Sequence, residues 1–168
     1  TIPGSCGDVQ TEDIIVNGIA DATITPVGPF CANDPIINLV GANLGGTWTG
    51  VGITNGATGE FDPATAGPGV HTITYTIGGT CGDVQTEDIT VNPVADATIT
   101  AVGPFCENDP AITLVGAELG GTWTGNGITN GATGDFDPAT AGAGTHTITY
   151  TIAGACGDIQ TTDITINP

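Results

Sequence analysis

Residues His71-Thr72-Ile73-Thr74-Tyr75-Thr76-Ile77 alternate strictly along the chain. In an extended backbone this puts His71, Ile73, Tyr75 and Ile77 on one face and the three threonines on the other. The pattern returns at residues 146–152, where Ile148, Tyr150 and Ile152 are kept. Shorter alternations at Ile37/Leu39 and Ile89/Val91 extend it. Together these positions predict strands at residues 22–25, 36–40, 47–49, 70–77 and 89–92, with room for a short one at 52–54. Val84 is out of phase with Ile89 and Val91, which a bulge or a strand start near residues 86–88 would reconcile. Turn signals separate the segments: Gly28-Pro29, Gly45-Gly46, Asn55-Gly56, Asp62-Pro63, Gly67-Pro68-Gly69 and Gly78-Gly79. Twenty-eight Gly, eleven Pro and no Met argue against long helices.

The pattern is periodic. Residues 19–93 and 94–168 align without a gap and differ at 15 of 75 positions. Residues 1–18 match 76–93, so the expected organisation is a C-terminal strand of a preceding repeat (1–18) followed by two whole repeats (19–93 and 94–168). Alternatively, residues 1–18 are a strand donated to a neighbouring subunit. Both readings imply head-to-tail continuation. Six or seven short strands in each 75-residue unit give an all-β fold of tandem Ig-like antiparallel β-sandwich repeats. The junction Val91-Asn92-Pro93-Val94-Ala95 is short, and its proline fixes φ, so neighbouring repeats should stack rather than swing freely.

A unit this small buries only about 60–65% of its unfolded surface, so a staple is expected. Each repeat has two cysteines, and their spacing suggests one disulfide per repeat, Cys31–Cys81 and Cys106–Cys156, with Cys6 unpaired. The alternative, metal ligation, is poorly served by one cysteine pair and one His per repeat without a CxxC. Disulfides place the chain in an oxidising, extracellular compartment, secreted or on the cell surface.

Eighteen Asp and Glu stand against no Lys and no Arg. Nucleic acid is therefore excluded as a partner, because phosphate binding needs cations. Charge-driven binding to anionic lipid is excluded likewise, and no segment is apolar and long enough to insert in a membrane as a helix. Trp48 and Trp123 are expected in the core near the disulfide, with Tyr75 and Tyr150, as in Ig domains. The competing role for the tryptophans is a sugar-stacking platform. His71 and His146 read as structural. The only Ser is Ser5, so no Ser-His-Asp or Ser-Lys site can be assembled, and no catalytic residue or cofactor is expected. Turn carboxylates at a junction make Asp21 and Asp96 candidate calcium ligands, although no EF-hand or nonapeptide motif occurs.

The segments Asp62-Pro63-Ala64-Thr65-Ala66-Gly67-Pro68-Gly69-Val70-His71-Thr72-Ile73-Thr74-Tyr75 and DVQTEDITV (residues 83–91) resemble Ig-like repeats of large surface proteins in gliding, type-IX-secreting Bacteroidota. That resemblance implies a cell-surface stalk, adhesin or filament array and offers no catalytic residues. The expected function is a structural extracellular array of head-to-tail repeats, with lateral association through outward threonines and sheet edges. The alternative is a carbohydrate-binding or other ligand-binding module that uses exposed tryptophans.

Overall fold

The structure is a computed structural model that describes residues 11–168. Residues 1–10, Cys6 among them, lie outside the described residues. The remainder of the expected partial strand, residues 11–18, is exposed and forms no strand among the described residues.

Two similar halves follow. In the first, β1 (Phe30–Cys31), β2 (Ile37–Asn38), β3 (Thr47–Thr49), β4 (Ile53–Asn55), β5 (Glu60–Phe61), a single helical turn α1 (Pro63–Ala66), β6 (Gly69–Ile77) and β7 (Asp83–Asn92) succeed one another. One sheet has the order β1-β7-β6-β3 and the facing one β2-β5-β4. The second half repeats this with β8 (Phe105–Cys106), β9 (Ile112–Thr113), β10 (Thr122–Thr124), β11 (Ile128–Asn130), β12 (Asp135–Phe136), α2 (Pro138–Ala141), β13 (Gly144–Ile152) and β14 (Asp158–Asn167). Each half is an Ig-like sandwich with its own core. The first is built on Ile24, Leu39, Trp48, Phe61, Ile73, Tyr75, Ile89 and Val91. The second, on Leu114, Trp123, Phe136, Ile148, Tyr150, Ile164 and Ile166, shares no residue with it.

The long hairpin β6–β7 is the spine of each sandwich. Its register is continuous from Gly69↔Val91 to Ile77↔Asp83, with no bulge. Val84 needs none: it pairs with Thr76 on the solvent face and stays 55% exposed. The last strand therefore begins at Asp83, six residues before the alternation of Ile89 and Val91 becomes legible. Three further features differ from expectation. Residues 22–25 form no strand, only the isolated bridge Ile24↔Gly41. Phe30–Cys31 adds a parallel edge to β7, after cis Gly28-Pro29. Residues 63–66 are helical because Asp62 caps them, accepting from Ala64 N at 3.0 Å and from Thr65 Oγ1 at 2.6 Å, with Pro63 at the first helical position.

Tyr75 explains two of the glycines. Its ring lies so close to residues 41 and 46 that a Cβ at either would fall 2.4 or 2.6 Å from it. Its hydroxyl donates to Asn43 O at 2.8 Å and accepts from Gly46 N at 2.9 Å, which pins the loop leading into β3. Tyr150 makes the same pair of bonds, to Glu118 O and from Gly121 N.

Candidate functional site

The long strands β6 and β7 run the length of each sandwich and define two poles. Ala20 donates to Cys81 O at 2.8 Å, and Ala22 donates to the Asp83 carboxylate. The entry segment and the β6–β7 turn, which holds Cys81, thus share one pole. At the other end Cys31 pairs in register with Asn92, where the chain leaves the sandwich. The ten-residue strand β7 separates the two poles by about 30 Å.

This geometry overturns the expected disulfide pairing. Cys31 and Cys81 sit at opposite ends of one sandwich, whereas a disulfide needs Cα atoms within about 7 Å. The same holds for Cys106 and Cys156. The bond that forms is Cys31–Cys156, with Cα atoms 5.4 Å apart and 125 residues between them in sequence. The route across the junction is short: Ala32 N donates to Asn92 O, and three residues later Ala95 N donates to Cys156 O. The exit pole of the first repeat and the entry pole of the second are thereby joined twice, by the backbone and by the disulfide. Among the described residues Cys81 and Cys106 are free thiols, the first half-buried and the second exposed.

The remaining candidates are placed as follows. Trp48 and Trp123 are buried, each 5% exposed, and stack on Tyr75 and Tyr150 with ring centroids 4.2 Å apart. Their neighbour is the tyrosine rather than a disulfide, which lies at the pole and not between the sheets. Neither indole presents a face to a sugar, so the carbohydrate platform loses its carrier. His71 Nε2 meets Gly67 O at 2.8 Å, and His146 Nε2 meets Gly142 O at the same distance, so each ring ties the helical turn to the spine. In the second copy Asn126 also reaches His146 Nδ1 at 3.2 Å, a contact that Val51 cannot make in the first.

Asp21 and Asp96 each accept the backbone N–H two residues on, at 2.9 Å, in local Asp turns. Hydrogen bonds from Thr23 and Thr98, side chain first and backbone second, hold both carboxyls below the ordinary aspartate range. Thr65, through its side chain, does the same for Asp62. Among the described residues, no three His, Cys, Asp or Glu side chains gather where they could hold a metal ion.

A folded-state pKa below the unfolded one contributes stability above the unfolded value, near 4, and loses it as pH falls through the folded value. These three turns therefore weaken only in acid. At neutral pH the dominant electrostatic effect is repulsion among eighteen carboxylates with no Lys or Arg to offset it. Melting temperature should accordingly rise as NaCl goes from about 0.01 to about 0.5 M, because the Debye length shrinks from roughly 30 Å to a few ångströms. The check is a pair of melts at matched ionic strength in NaCl and CaCl2. Equal curves mean screening alone, while a rise confined to calcium that is lost in Asp21→Asn or Asp96→Asn assigns a site there.

Two facing sheets, antiparallel but for one parallel edge strand, a buried Trp on the third strand and short turns at both poles define a tandem of Ig-like β-sandwich domains. No family model matches the chain, and no curated protein matches it. Among solved structures it is similar to hemolin, an insect immune protein described as having a new domain arrangement with implications for homophilic adhesion. The likeness is 13% identity with a TM-score of 0.47, over 88% of this chain and 46% of that one, so the chain spans under half of hemolin's length.

Proposed function

We propose that the chain is a segment of a structural extracellular array, in which Ig-like repeats follow one another head to tail as a surface fibre or adhesin stalk. The observation that carries this is the disulfide across the junction. A domain that acts alone gains most from a bond that closes its own chain, whereas this bond holds one repeat to the next. The exposed apolar segment before the first sandwich points the same way. Ile14 and Val16 stand where Ile89 and Val91 stand in the later copy, yet are 87% and 89% exposed instead of buried. They have the sequence of a last strand, with no sandwich of its own among the described residues. The resemblance to repeats of Bacteroidota surface proteins supports a place outside the cell, as does the disulfide itself.

Electron microscopy of the native material tests the reading. An array predicts filaments with an axial period of about 4 nm, the length of one ten-residue strand plus a junction. Compact particles no longer than two repeats would overturn it.

A further inference from the structure

We infer that Cys81 and Cys106 are the two open ends of a disulfide ladder, each built to bond a further copy of this repeat. The inference rests on the array reading and adds a covalent rule to it: the front cysteine of each repeat bonds the rear cysteine of the repeat that follows. Cys31 and Cys156 are one such pair. A shift of one 75-residue period turns Cys31 into Cys106 and Cys156 into Cys81, and these are the two free thiols among the described residues. Cys106 thus awaits the rear cysteine of a following repeat, and Cys81 the front cysteine of a preceding one.

Burial shows which pole residues a neighbouring repeat covers. At the exit pole of the first repeat Cys31 is buried, while Ala32 and Asn92 are half-buried. Their counterparts at the exit pole of the second repeat, Cys106, Glu107 and Asn167, are all exposed. The entry poles differ in the complementary way. Val94 and Gly157 are half-buried against the first repeat, whereas Ile19 and Gly82 are exposed. The inner junction thus buries these positions against the neighbouring repeat. The residues beneath it are nearly the same, so the surface that one repeat recognises is offered again at each end.

The ladder has a mechanical consequence. Within a repeat, the segments from the entry to the front cysteine and from the rear cysteine to the exit both run from entry pole to exit pole. The segment between the cysteines returns and carries no axial load. Tension would pass from Cys81 along 25 residues to Cys106 and across a disulfide to the next rear cysteine. Fully extended, that stretch reaches about 85–90 Å, against roughly 80 Å for the two repeats it already spans. The fibre would have almost no slack.

Closing a rung requires an oxidant. With glutathione disulfide, the Cys106 thiolate displaces one glutathione thiolate to form a mixed disulfide. The rear-cysteine thiolate then attacks the Cys106 sulfur and releases the second, so two protein thiols are oxidised and one glutathione disulfide is reduced to two glutathiones. The test uses the full chain, and the full chain extended at Pro168 by one more copy of residues 19–93, with the original Cys81→Ser and the front cysteine of the added copy also replaced by Ser, so that linked peptides are unambiguous. Both are refolded in glutathione buffer, alkylated, cut at Asp and Glu, and mapped by mass spectrometry. The expected result is a Cys31–Cys156 peptide in both, with Cys106 alkylated or glutathionylated in the full chain. In the extended chain Cys106 loses that reactivity and appears linked to the rear cysteine of the added repeat. Cys106 still reactive in the extended chain, or found bonded to Cys156, overturns the ladder. Solution scattering of the same sample separates the two proposals: a rod of three repeats with Cys106 reactive leaves the array standing without its rungs, and a chain of unstacked repeats removes both.

Discussion

Pulled between its two ends, the oxidised chain should reach a final contour about 400–450 Å shorter than the same chain after reduction. The difference is the 125-residue loop that Cys31–Cys156 closes, at roughly 3.3–3.6 Å per extended residue. Force applied at the termini reaches Cys31, crosses to Cys156 and leaves along β14, so all of β2 to β13 lies off the path. Strand β14 can still be peeled from β13, and the second core would then come apart, yet its unfolding adds nothing to the length. Single-molecule extension with and without a reductant reads this directly. A bond within each repeat, Cys31 to Cys81 and Cys106 to Cys156, would instead hide two separate and shorter loops. Equal contours before and after reduction would falsify the junction bond outright. Cys31→Ser should behave as the reduced chain does without any reductant, which separates loss of the bond from other effects of thiol chemistry.

The strand at residues 70–77 and the buried faces of Ile73 and Tyr75 were legible in the sequence, because alternation over seven residues has no competing explanation, whereas of β7 only residues 89–92 were. Two-residue strands such as β1 and β5 were not. A pair of residues carries no period, and Phe30-Cys31 is extended only because β7 lies beside it. The turn at residues 63–66 did leave a signal, an Asp cap followed by Pro, which strand-rich surroundings obscured. The disulfide shows a different kind of limit. In a periodic chain, pairing within a repeat and pairing to the next use the same residues at the same spacing modulo 75. Only the poles, fixed by Cys31 opposite Asn92 and by Ala95 bonded to Cys156, decide between them.

Replacing Trp48 by Ala should unfold the first repeat, or leave it marginal, while the second stays intact. Trp48 is the largest side chain in its core, stacked on Tyr75 at 4.2 Å. The backbone at Gly59 lies so close beneath it that a Cβ there would fall 2.7 Å from the indole nitrogen. The wall is main chain and cannot swing in to refill the space, so the truncation falls in the range of about 3–5 kcal/mol usual for a buried aromatic. A domain of this size has only roughly 4–11 kcal/mol in total. The second repeat has no reason to follow, because the two cores share no residue and the junction joins them by backbone and one disulfide at the poles. The only tryptophan left is then Trp123, so its emission during urea unfolding reports the second repeat alone. Its midpoint should match that of the parent's second repeat, while circular dichroism loses about half the strand signal before the titration begins. Trp123→Ala should give the mirror result, with Trp48 as the reporter. If Trp123 unfolded together with the damaged repeat, the sandwiches would be one cooperative unit, and stability would be shared along the array rather than held repeat by repeat. Independent cores would suit the proposed array, since a repeat that fails could refold while the Cys31–Cys156 bond keeps the chain between those cysteines from lengthening.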